Sequence, residues 1–277
     1  MNPLHTALHT PTHAARPAPF GAPRVAPTSR RLHCVLLLLL GGTLLGAQAG
    51  EVSVAVAANF SAPMNKIAAA FEQDTGHKAV LSFGSTGKFY AQIKNGAPFH
   101  VLLAADQDTP ALLEQQGQTL LGSRFTYATG RLVLWSRQSG VVDARGEVLR
   151  QGNFEKIAIA DPKLAPYGAA AVEVMDKLGL RQALQAKIIQ GENVAMAYQW
   201  VSSGNAALGF VALSQVMRDA KIVEGSAWVI PTALHAPLHQ DAVALGRSRD
   251  QPAAAALLVY LQSERAKAII RSFGYLP

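Results

Sequence analysis

One short stretch of small residues constrains what this chain can fold into. Residues 82–88 read Ser-Phe-Gly-Ser-Thr-Gly-Lys; they follow the β-rich run 79–81 and lead into a helical pattern over 89–95. A strand, a tight turn and a helix start in this order direct backbone N–H groups and the hydroxyls of Ser85 and Thr86 at one point. Because the first turn of a helix has unpaired donors and a partial positive charge, the stretch is typical of an anion site.

The same kind of turn recurs three more times in the chain. A single turn of this kind is more often an ordinary helix cap, but similar turns occur at Asn59, Tyr167 and Val194. Ligands of parallel α/β proteins lie beyond the carboxyl ends of the strands, opposite helix N-termini. Two turns come from each half of the chain, so we expect all four to converge on one cleft. Lys88, one helical turn further on, is expected to be a solvated side chain.

The order of strand and helix patterns predicts two α/β domains. Between residues 52 and 117 a strand pattern alternates three times with a helical pattern, which indicates a parallel sheet covered by helices. An extended segment over 124–135, broken at Gly130, is a candidate crossover between domains. A second α/β unit follows over 157–212.

The end of the chain is expected to return to the first domain. Strands are predicted at 229–230 and 242–245, and one long helix over 252–271 closes the protein. The predicted division is a leader over 1–49, a discontinuous domain I over 51–131 plus 236–277, and a domain II over 132–235.

The beginning of the chain is typical of an export signal. Residues 1–33 carry four arginines and no acidic residue, and the apolar run 35–45 that follows is too short to anchor the chain in a bilayer. Ala-Gln-Ala at 47–49 matches a small-x-small cleavage site. The single cysteine, Cys34, lies in this leader without a lipobox before it. After cleavage no disulfide or thiolate metal site is possible, and we expect a periplasmic protein.

The charge of the chain gives little support for a nucleic-acid partner. The leader holds four of the 25 basic residues and none of the 18 acidic ones, so without it the net charge falls from +7 to +3. The sequence shows no stripe of Lys and Arg with interleaved aromatic residues, which nucleic-acid-binding surfaces commonly carry. We therefore expect no nucleic acid among its partners.

Neutral donors at helix N-termini suit a compact oxyanion that is fully ionised. Each hydrogen bond to a charged group contributes about 1.5–3 kcal/mol net, and each helix terminus adds about 0.3–1 kcal/mol. Roughly six or seven donors could therefore reach about −10 kcal/mol, a sub-micromolar affinity, after the cost of closing the cleft. A protonated oxyanion such as hydrogen phosphate is disfavoured, because its proton would find no acceptor.

Several motifs occur in the order and at the spacing of one known family. They are Ala-Ala-Asn-Phe at 57–60, Ser-Phe-Gly-Ser-Thr-Gly at 82–87, Ala-Gln-Ile-Lys-Asn-Gly-Ala-Pro at 91–98, Ala-Ala-Asp at 104–106, Asp-Pro at 161–162 with Ala-Pro-Tyr-Gly at 165–168, and Leu-Gly-Phe-Val at 208–211. Over essentially all of residues 51–277 the chain resembles the periplasmic molybdate-binding proteins of ABC importers. The resemblance implies an α/β, type II periplasmic-binding-protein fold, in which two α/β domains close on molybdate or tungstate in the cleft between them.

The resemblance also implies which residues hold the ligand. Carried over by position, they are Asn59, Ser85, Thr86, the backbone of Tyr167 and the backbone of Val194. Molybdenum is then held only as its oxyanion, through these same residues, with no separate cofactor and no catalytic residue. The implied protein is a periplasmic monomer that binds molybdate and delivers it to an inner-membrane ABC permease.

Within this fold the main alternative is a binding protein for another oxyanion. Sulfate is the strongest rival, because it also lacks a proton and differs from molybdate mainly in size. Two positions also depart from the pattern of parts of the family. Ala58 stands where one branch has Thr, and Ala212 stands where some members present a tyrosine hydroxyl.

Enzyme interpretations fit the sequence less well. A nucleotide-hydrolase phosphate loop needs Gly where this chain has Ser82 and a hydroxyl where it has Phe89. The turn at 84–87 is one residue short of the Gly-x-Ser-x-Gly elbow of hydrolases. His235 and His239 have helical spacing, but the proline between them disfavours a helix, so this segment is expected to be a surface loop rather than a metal site.

Overall fold

The computed structural model describes residues 49–276. The predicted leader therefore lies outside the described residues, except for its last residue. Among the residues described, no helix combines the length and the hydropathy that a membrane crossing requires.

Strands and short helices alternate along the described chain. The strands are β1 Glu51–Ala57, β2 Lys78–Gly84, β3 Val101–Leu103, β4 Phe125–Gly130, β5 Leu132–Ser136, β6 Ile157–Ala160, β7 Ile188–Gly191, β8 Leu208–Ala212, β9 Met217–Arg218, β10 Lys221–Ile222, β11 Ser226–Val229 and β12 Leu238–Ala244. The α-helices are α1 Ser61–Thr75, α2 Thr86–Lys94, α3 Asp108–Gln115, α4 Val148–Gln151, α5 Pro166–Lys177, α6 Arg181–Leu184, α7 Val194–Ser202, α8 Leu213–Val216, α9 Pro252–Leu261 and α10 Glu264–Ser272. Short 3₁₀ turns lie at Ala58–Phe60, Gln185–Lys187, Thr232–Leu234 and Gly246–Ser248.

The strands form two five-stranded sheets and one small hairpin. The first sheet has the order β2-β1-β3-β12-β4. In it β1 is parallel to both β2 and β3, whereas β12 is antiparallel to both β3 and β4. The second has the order β11-β5-β8-β6-β7, with β6 parallel to β7 and β8. We call each sheet, with the helices packed on it, the first and the second domain. The hairpin β9-β10 stands apart from both sheets.

Each domain has its own apolar core. In the first, α1 buries Met64, Ile67, Ala70 and Phe71 against the sheet at the helical spacing expected from the sequence. Complete burial of a Met, Ile or Phe side chain contributes about 1.5–3 kcal/mol. The second core is built on β5, β6 and β8, whose side chains are all buried.

The chain passes between the domains where the sequence indicated a break. β4 belongs to the first sheet and ends at Gly130, and β5 begins at Leu132 in the second sheet. A side chain is excluded at Gly130, because its Cβ would lie 2.1 Å from the hydroxyl oxygen of Tyr167 and 2.4 Å from Nε2 of Gln240. The expected crossover is thus confirmed, and the glycine has a packing role there.

Two helix predictions are wrong in their bounds. The single helix expected over 252–271 is two helices, α9 and α10, because Ser263 adopts an extended backbone and its hydroxyl accepts from the N–H of Ala266. Serine is a strong N-cap, and it starts the new helix there. The helix expected from residue 89 begins three residues earlier, at Thr86, so Thr86 itself lies in the first turn.

Two predictions near the end of the chain are also corrected. The strand expected over 229–230 as a return to the first domain is β11, which pairs with β5 in the second sheet. The return is made by β12 alone. The expected surface loop over 235–239 is only partly correct. Residues 235–237 lie outside any helix or strand, and Ala236 and Pro237 are exposed, but His235 is buried and His239 lies within β12.

Candidate functional site

Four turns from the two domains line one small cavity. Its volume is only about 10 Å³, far below the roughly 300–1,000 Å³ of pockets for drug-sized ligands. Its lining residues are Ala57, Ala58, Asn59, Gly84, Ser85, Thr86, Ala105, Ala165, Pro166, Tyr167 and Val194. All five residues carried over from the family resemblance are among them, and none of the lining residues carries a charged side chain. The cavity thus suits a compact solute.

Ser85 offers a hydroxyl that the protein itself does not use. It is the N-cap of α2 and is 2% exposed, yet its side chain makes no capping hydrogen bond. Serine at this position ordinarily accepts from an amide in the first helical turn. Within the described residues, Ser85 Oγ has no hydrogen-bond partner at all. Because a buried polar group without a partner is costly, this hydroxyl marks a place for a polar ligand.

The Thr86 hydroxyl accepts one hydrogen bond from the protein but donates none within the described residues. Its Oγ1 accepts from the N–H of Ala105 at 3.0 Å, which fixes the rotamer. The hydroxyl proton is therefore left free to donate. The side chain is 1% exposed, so that donor is held in a dry environment.

Tyr167 and Val194 bring backbone donors from the second domain. α5 begins with Pro166, which has no N–H, so Tyr167 carries the first amide donor of that helix. At the start of α7, the side chain of Asn193 accepts from Ala195 and Met196 and leaves the first amide, that of Val194, without an intrahelical acceptor. Both helices therefore present a partial positive charge to the cavity.

The side-chain amide of Asn59, which was expected to donate to the ligand, donates to protein groups instead. Its amide nitrogen donates to Oε1 of Gln240 at 2.9 Å and to the hydroxyl of Tyr275 at 3.0 Å, so both amide protons serve the protein. Its backbone N–H lies in the 3₁₀ turn after β1, at a helix start. Asn59 can therefore meet a ligand through its backbone, while its side chain holds the turn in place.

A buried polar network that the sequence did not reveal lies behind the cavity. Gln240 Oε1 accepts from Asn59 and from the Tyr127 hydroxyl, and Gln240 Nε2 donates to the Tyr167 hydroxyl at 3.2 Å. The Tyr275 hydroxyl lies 2.8 Å from the carbonyl oxygen of Asn59. Burial raises the pKa of Tyr127, Tyr167 and Tyr275 above the ordinary tyrosine value, so all three remain neutral hydrogen-bonding groups. The one available signal was the run of three polar residues, His239, Gln240 and Asp241, inside β12.

Lys88 lies at the mouth of the cleft rather than in the cavity. Its ammonium contacts Oε1 of Glu192 at 2.9 Å, and both side chains are more than a third exposed. The pair joins α2 of the first domain to the β7–α7 turn of the second. Lys88 is partly solvated, as expected, but it also has a partner across the cleft.

A metal-ion site finds no support in the part of the chain that the structure describes. No group of three or more His, Cys, Asp or Glu side chains is placed to hold an ion there. His235 and His239 are separated in environment, one buried and one exposed on β12. The chemistry of the cavity is accordingly that of neutral N–H and O–H donors.

Two α/β domains that enclose a small cavity at their helix N-termini define the class of solute-binding proteins. The family model described as bacterial extracellular solute-binding protein matches residues 52–276. The chain is 56% identical over 242 residues to the molybdate-binding protein ModA of Azotobacter vinelandii, covering 87% of this chain and 96% of that protein. It is 46% identical over 250 residues to the ModA of Rhodobacter capsulatus, covering 90% and 98%.

A solved structure agrees with these relatives. The structure of the Azotobacter vinelandii periplasmic molybdate-binding protein superposes with a TM-score of 0.80 at 41% identity, covering 82% of this chain and 99% of that one. The chain therefore belongs to the bacterial extracellular solute-binding proteins and, within them, to the group of relatives named molybdate-binding protein ModA. This confirms the predicted type II fold and a binding protein rather than an enzyme.

Proposed function

We propose that this protein binds molybdate in the periplasm, together with tungstate, which has the same shape and charge, and delivers it to an ABC permease in the inner membrane. The relatives named ModA support this ligand. The similar solved structure is that of a periplasmic protein, which supports the location. The permease follows from the role, because an exported binding protein has no route across the membrane by itself.

The observation that carries the proposal is the unused hydroxyl of Ser85 in an uncharged cavity. It lies beside the free hydroxyl proton of Thr86, and the first-turn amides of Asn59, Tyr167 and Val194 line the same space. All of these groups donate. A ligand that satisfies them must offer acceptors in several directions and carry no proton of its own, as molybdate does.

The number of donors is sufficient for tight binding without a basic residue. Five donors at about 1.5–3 kcal/mol each amount to roughly 7–15 kcal/mol before the cost of closure. The dianion is held only through its oxygen atoms, so molybdenum itself has no protein ligand in this proposal. A cavity lined by Ala58 and Ala105 rather than by acceptors gives a protonated anion no place for its proton.

Calorimetry on the purified, anion-free protein tests the proposal. We expect sub-micromolar binding of molybdate and of tungstate, with sulfate at least a hundredfold weaker and phosphate weaker still. Sulfate binding as tightly as molybdate would assign the cavity to the other oxyanion. Absence of binding for all four anions would refute an anion site here.

We further propose domain boundaries at 51–131 plus 236–277 for the first domain and 132–235 for the second, and a monomeric protein. Sheet membership on either side of Gly130 supports the first boundary. The chain joins β12 at Leu238, which supports the second. Analytical ultracentrifugation with and without molybdate checks the monomer, and a mass near twice that of one chain would contradict it.

A further inference from the structure

Tyr167 faces two different environments at once. Its backbone lines the cavity, at the start of a helix that packs on β6, β8 and β5 of the second domain. Its side chain is 2% exposed and points its hydroxyl into the polar network behind the cavity, where it accepts from Nε2 of Gln240. The residue thus connects the ligand side of the cavity to the groups behind it.

Among residues 49–276, the hydrogen bond to Tyr167 is the one bond that the Gln240 side chain makes across the domains. Gln240 is fully buried in β12 of the first sheet. Its other partners are Asn59, which follows β1, and Tyr127, which lies in β4, and both belong to the first domain. Of the three groups that contact the Gln240 amide, only the Tyr167 hydroxyl comes from the second domain.

The contact also lies at the crossover of the chain. Gly130 ends β4, and a Cβ there would overlap both the Tyr167 hydroxyl and the Gln240 amide nitrogen. Room for this hydrogen bond therefore depends on a glycine at the point where the first domain passes into the second. Three elements from the two domains thus meet at this hydrogen bond.

We propose that the Tyr167 hydroxyl is a positioning group that stabilises the closed arrangement of the domains and thereby fixes the Tyr167 N–H toward the bound oxyanion. The proposal rests on the proposed function. When the domains separate, water can satisfy both the hydroxyl and the Gln240 amide. When they close, each group is buried and needs the other. The bond therefore favours the closed, ligand-bound state over the open one.

Tyr167→Phe and Tyr127→Phe form a matched pair that tests the proposal. Each variant removes one buried phenol hydroxyl that contacts the Gln240 amide. The single hydroxyl proton of Tyr127 is shared between Gln240 Oε1 and the Ala104 carbonyl oxygen, each 2.9 Å away, and both acceptors belong to the first domain. We expect Tyr167→Phe to weaken molybdate binding about five- to fiftyfold, mainly through faster dissociation, because Gln240 loses its partner on closure. Tyr127→Phe should bind molybdate within about twofold of the wild type. The unfolding midpoint of the anion-free protein should fall less in Tyr167→Phe than in Tyr127→Phe.

A second variant keeps the proposal testable should Tyr167→Phe fold poorly. Gly130→Ala leaves both polar groups in place but pushes them apart, and we expect it to weaken molybdate binding with faster dissociation as well. Equal affinity in Tyr167→Phe and the wild type would overturn the proposal, and so would an equal loss in Tyr167→Phe and Tyr127→Phe. Both results leave the proposed function intact, whereas a wild-type protein that does not bind molybdate refutes the function itself.

Discussion

The N–H of Gly87 donates to the carbonyl oxygen of Leu164 at 2.9 Å, a backbone hydrogen bond that joins the first turn of α2 to the loop before α5 across the cleft. A Cβ on Gly87 would lie 3.1 Å from both the Cα and the carbonyl oxygen of Leu164. This contact is tighter than most Cβ contacts, so a side chain at residue 87 would push the Leu164 backbone away by a few tenths of an ångström. The N–H of Gly87 is one of the two first-turn amides that ordinarily donate to an N-cap serine, and here it donates to the other domain instead. The Ser85 hydroxyl accepts no such bond.

Gly87→Ala should therefore impair closure without harming either domain. We expect molybdate affinity to fall about tenfold or more, since the neighbour of the new methyl is backbone and has little freedom to move. Small-angle scattering with and without molybdate measures closure directly. Gly96→Ala is unsuitable as a control because of its positive φ, so Ala91→Ser on the same helix serves instead. A Gly87→Ala protein that closes and binds as the wild type does would contradict this account.

Ser85→Ala should separate binding from stability. In the proposed site the variant removes a donor to the anion, and we expect this to cost about 1.5–3 kcal/mol of binding, or roughly a ten- to hundredfold loss of affinity. It also removes a buried hydroxyl without a partner, so the free energy of unfolding of the anion-free protein should not fall. Calorimetry and urea titration give the two quantities.

Thr119→Val is the matched control for Ser85→Ala. Thr119 Oγ1 is the other buried side-chain atom without a partner among the described residues, and it does not line the cavity. Its replacement should leave molybdate binding unchanged. A comparable loss of affinity in both variants would show that buried hydroxyls act through the fold and not through the ligand.

Lys88→Met should have only a small effect on binding. The Lys88–Glu192 pair is exposed, and exposed ion pairs contribute about 0–1 kcal/mol because solvent screens them. We expect less than a fivefold loss of molybdate affinity. The loss should shrink further in 0.5 M salt, because that concentration roughly halves the distance over which charges interact relative to physiological salt. Binding isotherms at two salt concentrations check this. A loss as large as that of Ser85→Ala would instead make Lys88 a ligand of the anion.

Asp106 should make folding stability depend on pH in a defined direction. Burial raises the pKa of its carboxyl, and this effect outweighs the hydrogen bonds that it accepts from Thr109. A group whose pKa is higher in the folded state contributes stability below its unfolded pKa, and that contribution is lost as pH rises through the folded value. Relative to the wild type, Asp106→Asn should therefore gain stability as pH rises from about 4 toward neutrality.

Asp143→Asn provides a control of opposite sign. The backbone N–H of Arg145 donates to the Asp143 carboxylate and lowers its pKa. The wild type should then be the more stable protein at neutral pH, and its advantage should disappear as pH falls through the folded pKa. Urea unfolding at several pH values measures both differences. The same pH trend in both variants would contradict the assignment of either shift.

The local parts of the fold and site could be predicted from the sequence. The alternation of strand and helix, the break at Gly130 and the helix starts near Ser85, Tyr167 and Val194 depend on residues within a few positions of one another. Cap preferences, glycine turns and the period of apolar residues carry that information. Where a short-range signal was overlooked, as at Ser263, the bounds of the helix were wrong.

The sequence by itself thus determined which turns would end in helix N-termini and that their donors would be uncharged. Only the tertiary structure decided how each donor is used. The side-chain amide of Asn59 donates to Gln240 and Tyr275, which lie 181 and 216 residues further along the chain. The Ser85 hydroxyl has no partner among the described residues. The physical reason is that a helix start is fixed by neighbours along the chain. The partner of a buried polar group is fixed by whatever the packed domains bring within about 3 Å of it, and no local pattern encodes that distance.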